Sequence, residues 1–310
     1  MTADRPVLGI LLMLGFCLLA PLGDAVAKLL GGTMPLGQLL LVRFAVQAAV
    51  LIPLVATTGR LWRMRGRILR LTVLRTLLHI AGIGFMFTAL KFLPLADAVA
   101  IAFVMPFLML LLGRFVLNEE VGFRRLAACA VGFCGTLMVI RPSFADVGWP
   151  ALLPLGVAVV FSLFMLVTRQ LAKDTDPIGL QAVSGVIATV LLLPVLLLGD
   201  AAGVEVLSFR MPDNGDWLLL AAIGLLGTAA HLVMTWSLRY APAATLAPMQ
   251  YLEIPIATFV GWLIFHDLPD AMSAAGICVT VAAGLYIVLR ERAVAQAIAR
   301  EERRRAQAPV

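Results

Sequence analysis

Ten apolar runs, each of about 20 residues, divide the chain, and short polar or charged breaks separate them. They lie at approximately 7–30, 35–56, 69–90, 96–117, 123–140, 149–171, 177–199, 216–239, 243–265 and 270–290. A helix of about 20 residues spans the hydrocarbon core of a bilayer at 1.5 Å per residue. The runs are continuous rather than alternating, so they predict helices, which satisfy their own backbone groups in lipid, and not the strands of a barrel. The predicted fold class is an all-α membrane protein with ten transmembrane helices.

The pattern also repeats. Lys91-Phe92-Leu93-Pro94 is answered by Arg239-Tyr240-Ala241-Pro242, and Thr33-Met34-Pro35-Leu36-Gly37 by Thr175-Asp176-Pro177-Ile178-Gly179. Pro106 and Pro255, Asn118 and Asp267, Gly135 and Gly284, and Arg141 and Arg290 are all 149 residues apart. The chain therefore divides into a five-helix repeat over residues 1–145, a second over 146–290 and a charged tail over 291–310. A unit with an odd number of spans must reverse direction when repeated, so the expected architecture is two inverted repeats around a central cavity.

Composition and charge sharpen the picture. With 62% hydrophobic and 14% charged residues in 310, the bilayer is the solvent. The net charge of +6 does not point to nucleic acid, because the cations gather in a few loops and the tail. Arg60, Arg63, Arg65, Arg67 and Arg70 follow the second span, Arg124 and Arg125 the fourth, and Lys173 the sixth. The alternate loops hold Lys91, Arg141 and Arg210 among many carboxylates. The positive-inside rule then places both termini in the cytoplasm, and the tail is expected along the anionic membrane surface. The first run shows no small-residue cleavage pattern and is expected to be kept as a span. Cys17, Cys129, Cys134 and Cys278 fall inside apolar runs without metal-ligand spacing, so neither metal nor cofactor is expected.

Ionisable groups at bilayer depth mark function by default. Glu253 lies about ten residues into the ninth span beside Gln250, Tyr251 and Pro255, where an irregular helix segment is expected. It is a candidate to pair a cationic substrate group or carry a coupling proton, against a structural hydrogen bond to a neighbouring helix. Asp24 and Lys28, four apart, are able to pair on one helical face or simply snorkel. Arg43 lies deeper, with Asp24 or a substrate anion as partner. His79 and His231 occupy the third and eighth spans, counterparts in an inverted repeat, and either face one cavity or pack as satisfied core residues. Arg75, four before His79, is read as a cytoplasmic-face anchor. Trp236, Tyr251, Phe85, Phe103, Phe107 and Trp262 offer surface for a planar substrate, and Met86, Met105, Met109, Met234 and Met249 an adaptable lining or core filler. Gly132 with Gly135, and Gly224 with Gly227, permit close helix approach.

With ten spans and paired segments in view, the chain resembles the drug/metabolite transporter superfamily, specifically proteins with two EamA-type repeats. The resemblance rests on 89–98 leading to Pro106 and Asn118-Glu119-Glu120, and on 237–244 leading to Pro255 and His266-Asp267. Gly23-Asp24-Ala25-Val26-Ala27-Lys28 with Val42-Arg43-Phe44 is similar to the branch with S-adenosylmethionine uptake and riboflavin-type carriers. What the resemblance implies is an inner-membrane secondary transporter of a small organic metabolite, working by alternating access. A glutamate at the exit of the fourth span belongs to the scaffold in such proteins; His266-Asp267 replaces it in the second copy. The chain has no phosphate-binding loop, His-Glu-x-x-His or Gly-x-Ser-x-Gly segment, which argues against ATP coupling and an intramembrane enzyme. A channel or facilitator is the alternative, without a charged ring or filter segment to support it.

Overall fold

A computed structural model describes residues 5–105, 107–108, 111–112, 123–241, 246, 249–286 and 289–290. Every regular element among them is helical. Pro106, Met109, Asn118, Glu119, Glu120, Pro242 and the tail 291–310 lie outside the described residues.

The helices are α1 (Pro6–Leu30), α2 (Leu36–Thr58), α3 (Gly66–Ala89), α4 (Leu95–Ala102) and α5 (Phe123–Val147) in the first half. The second half has α6 (Leu153–Ala172), α7 (Pro177–Ala201), α8 (Asn214–Tyr240), α9 (Glu253–Phe265) and α10 (Ala271–Tyr286). Seven of them, α1 to α3 and α5 to α8, are long and apolar enough to cross a bilayer, α6 together with the preceding 3-10 turn at Trp149–Leu152. α9 and α10 are shorter apolar helices within the described residues.

Local chemistry sets the ends. Pro35 and Pro177 stand at matching starts of α2 and α7, where a missing N–H costs nothing. Asp176 caps α7 by accepting the Gly179 amide at 2.9 Å, and Asp213 with Asp216 forms a capping box on α8. α2 stops at Gly59 in the left-handed region, φ 63°. The boundaries differ from the apolar runs chiefly at α5, which continues past Arg141 and Pro142 to Val147 instead of ending in a loop there. The fourth run, expected as a continuous helix, is interrupted by a turn at 103–104; in the ninth, where an irregular segment is expected beside Glu253, a turn falls at 251–252.

Helix pairing crosses between the halves. α1 packs on α8, α3 on α6, α2 on α7 and α4 on α9. α5 meets α10, where Thr280 Oγ1 reaches the Gly132 carbonyl at 3.3 Å. Exchanging the halves leaves this list unchanged, since the first helix of each packs on the third of the other and the second, fourth and fifth helices pair with their own counterparts. The closest approaches depend on glycine. A methyl on Gly135 would stand 2.7 Å from the Gly276 carbonyl oxygen and 2.9 Å from the Thr280 nitrogen. Outward faces stay apolar, with Leu218 at 76% and Leu198 at 72% exposure, as lipid contact requires.

Candidate functional site

A cavity of about 70 Å³ opens at the centre of the helix pairs. Phe16 of α1, Met86 of α3, Val99 of α4, Phe161 of α6, His231 of α8 and Glu253 of α9 line it. These are the first, third and fourth helices of each half. On α1 the lining residues are Phe16, Ala20 and Asp24, spaced by four and so stacked on one face. Glu253 is the first residue of α9, immediately after the turn at 251–252. That turn sets its carboxyl among the cavity walls. Backbone groups near both interruptions find partners from facing helices: Cys17 Sγ donates to the Met249 carbonyl at 3.6 Å and Ser162 Oγ to the Met105 carbonyl at 3.3 Å.

Asp24 and Glu253 face the same cavity, one from each half. Neither carboxyl has a hydrogen bond or ion pair among the described residues. Of the two readings of the Asp24–Lys28 spacing, the ion pair does not form. Lys28 instead reaches Asp267 Oδ2 at 3.0 Å and the Leu93 carbonyl at 3.1 Å, with its ammonium over the Phe265 ring. Its stem leads toward the helix end, whereas Asp24 is turned inward. The position held by Asn118 in the first repeat and Asp267 in the second thus finds a use in the second copy, as the partner of α1.

Arg43 does not bond Asp24 either. Both line a second, smaller space of about 30 Å³ with His231. Arg43 Nη2 lies 3.0 Å from His231 Nδ1, which is also 3.1 Å from the Gly227 carbonyl oxygen. Gly227 makes room for this. A methyl there would stand 2.7 Å from Arg43 Nε and 2.9 Å from Cζ, so only glycine lets the guanidinium lie against α8. The Arg43 Nη1 and His231 Nε2 atoms are buried without partners among the described residues.

His79 and His231 come together, with ring centroids 4.2 Å apart. His79 is enclosed by Phe44 at 5.1 Å and Phe164 at 4.6 Å, and neither ring nitrogen has a partner. Only His231 reaches the cavity wall.

Other sequence candidates fall elsewhere. Gln250 is buried beside the site with its amide nitrogen 3.4 Å from Met165 Sδ and its oxygen unpartnered. Tyr251 stands behind the cavity, its ring 5.4 Å from that of Phe103. Trp236 packs with Leu51, Val55 and Ile178, away from the cavity, because α8 turns that face toward α2 and α7. Phe85 and Trp262 are on the outer surface, 38% and 46% exposed. Of the aromatic candidates only Phe103 lines the cavity; Phe16 and Phe161 do so unforeseen. The i, i+4, i+8 spacing of Phe16, Ala20 and Asp24 is the signal for the first of these.

Arg75 needs the largest correction. It is not an anchor at the membrane face but fully buried. Its Nε donates to Thr168 Oγ1 at 2.8 Å and its Nη1 to Ser184 Oγ at 2.9 Å, with Gln181 and Thr235 at 3.3 and 3.4 Å. The guanidinium also lies over the Phe164 ring, 4.6 Å from its centre. Neutral acceptors on α6, α7 and α8 therefore replace water around it. Their spread over three distant segments hid the cluster in the sequence.

Comparison with known proteins now adds to the geometry. The EamA-like transporter family model matches residues 7–141 and 148–290. A riboflavin transporter of Brucella anthropi is 30% identical over 246 residues, 77% of this chain and 85% of that protein. An S-adenosylmethionine uptake transporter of Rickettsia prowazekii is 24% identical over 271 residues, covering 87% and 89%. A solved crystal structure superposes with a TM-score of 0.69 at 19% identity over 93% of this chain and 98% of the other, which shows a shared fold.

Proposed function

Because the chain belongs to the EamA-like transporter family of the drug/metabolite transporter superfamily, we propose that it is a secondary carrier of an organic cation or zwitterion of metabolite size. It is a multi-pass membrane transporter and not an enzyme. In the proposed arrangement ten helices form two inverted five-helix repeats, residues 1–145 and 146–290, in the inner membrane with both termini cytoplasmic. Transport proceeds by alternating access.

One observation carries the substrate class. Asp24 and Glu253, one from each repeat, face a single cavity, and neither has a hydrogen bond or ion pair among the described residues. A carboxylate at bilayer depth costs a few kcal/mol unless a cation, a proton or water meets it. A substrate cation between the two carboxyls meets both, and Phe16, Phe103 and Phe161 supply aromatic surface around it. The S-adenosylmethionine named for the Rickettsia relative carries such a charge. The cavity of about 70 Å³ is well below the roughly 300 Å³ of a small-molecule site. Binding on this reading therefore moves the halves apart, as alternating access requires.

A second reading takes the same aromatic residues as a platform for a planar neutral solute, in keeping with the Brucella relative's name. A thermal-shift screen of the purified protein separates the two. Stabilisation by S-adenosylmethionine or quaternary amines, lost in Asp24→Asn, supports the cation. Stabilisation by riboflavin alone, retained in that variant, replaces it with the flavin. Saturable counterflow in proteoliposomes supports a carrier, while current at channel rates would sink it. Glu253 is also the proposed site of proton coupling. Glu253→Gln should keep exchange and lose gradient-driven accumulation; accumulation at the wild-type level would remove Glu253 from that role.

A further inference from the structure

The contact between Arg43 and His231 bears on the tautomer. A guanidinium only donates, so where Arg43 Nη2 bonds at 3.0 Å the Nδ1 of His231 accepts, and the ring proton of the neutral imidazole is then on Nε2. The same Nδ1 lies 3.1 Å from the Gly227 carbonyl oxygen, which only accepts. One nitrogen cannot serve both neighbours in one protonation state. Unprotonated, it holds Arg43; protonated, it donates to Gly227 and faces Arg43 as a second cation.

We propose that Gly227 and His231 position Arg43 away from Asp24, leaving that carboxylate open to a cationic group in the cavity, and that a proton on His231 Nδ1 hands Arg43 over to Asp24. Arg43 and Asp24 already line the same small space, and Asp24 is the one carboxyl among its described lining residues. A released Arg43 guanidinium therefore has Asp24 as the anion to pair with. The exchange is balanced: one proton enters on Nδ1, one hydrogen bond moves from Arg43 to Gly227, and one ion pair forms. Arg43 thereby becomes an internal competitor of the substrate cation, which couples proton binding on His231 to substrate release at Asp24.

The charged and titratable groups around His231 are Asp24 from α1, Arg43 from α2, His79 and Arg75 from α3, and Glu253 from α9. α6 presents only the Phe161 and Phe164 rings to it. Arg43 is the single group among these in hydrogen-bond contact with the imidazole. The proposal rests on the cavity being the substrate site, but the handover itself is a property of the empty protein and is tested there.

The full-length protein with nitrogen-15 histidine, reconstituted in liposomes, has three imidazoles to follow by solid-state magnetic resonance. His231 is assigned by its loss in His231→Gln, and the Asp24 carboxylate band in the infrared by its loss in Asp24→Asn. The expected result at neutral pH is a bare, hydrogen-bonded Nδ1 and a protonated Nε2 on His231. On acidification Nδ1 gains its proton and the Asp24 carboxylate band shifts with the same midpoint; in Arg43→Gln the two events separate. A proton on Nδ1 at neutral pH, or an Asp24 shift that tracks His231 equally in Arg43→Gln, overturns the proposal. Should Arg43→Gln fail to fold, Gly227→Ala tests the same link, because displacing the guanidinium should shift the His231 resonance at fixed pH. Loss of transport with the handover intact would instead count against the substrate site.

Discussion

Replacing Gly227 by alanine probes the contact on which the arginine's position depends. In a helix interior the change by itself stabilises by about 1 kcal/mol, through the lower backbone entropy of alanine in the unfolded chain. Against this, the new methyl would lie 2.7 Å from Arg43 Nε and 2.9 Å from Cζ and Nη2, so the guanidinium must move. The Arg43–His231 hydrogen bond, at 3.0 Å and fully buried, does not survive that displacement. A hydrogen bond to a charged group contributes about 1.5–3 kcal/mol. The balance is a net loss of roughly 0.5–2 kcal/mol. Arg43→Met removes the obstructing fork, and in that background Gly227→Ala should be neutral or stabilising by up to about 1 kcal/mol. A double-mutant cycle on detergent-purified protein, followed by equilibrium or thermal unfolding, therefore yields a coupling of about 0.5–3 kcal/mol. Equal costs of Gly227→Ala in both backgrounds would refute the reasoning, since the methyl would then be meeting something other than Arg43.

Two further predictions concern the scaffold. Gly135→Ala forces backbone atoms of α5 and α10 apart, so overpacking should outweigh the gain in helix propensity and cost about 1–2 kcal/mol. Gly215→Ala, with open space around it, should be neutral or stabilising, and unfolding midpoints of the two variants make the comparison. Asp176→Ala removes the α7 cap and should cost about 1 kcal/mol. Asp176→Asn keeps a capping oxygen while losing the half-exposed pair with Arg60, so its midpoint should remain within about 1 kcal/mol of the unaltered protein, and a loss equal to alanine's would discount the cap.

Much of the scaffold was legible because the signals are local. The starts of α2 and α7 fall within a residue of the apolar runs, and the matching Pro35 and Pro177 begin helices that pair with each other. Equivalent places in two repeats put His79 and His231 on helices of the same rank, but rank does not say which of them reaches the cavity, where only His231 does. The aromatic lining was not legible. Composition cannot distinguish an inward Phe16 from an outward Trp262 until helix rotation is known, and a helix apolar all round carries little rotational signal. Arg75 was misplaced for a related reason. Distance along the chain from the cation-rich loop at 60–70 suggests a place near a helix end, whereas its burial depends on Thr168, Ser184 and Gln181 closing over it from other helices.

The sequence by itself determined that this chain lives in a bilayer, how many apolar runs it has and that its halves correspond. Those properties follow from the cost of placing unsatisfied backbone and charge in hydrocarbon, which each segment meets alone. Tertiary structure decided the partners. Lys28 found Asp267 across 239 positions rather than Asp24 one turn away, and Arg43 found His231 across 188. Helix rotation and close approach over glycine set those choices, and with them which carboxyls stay open to the cavity.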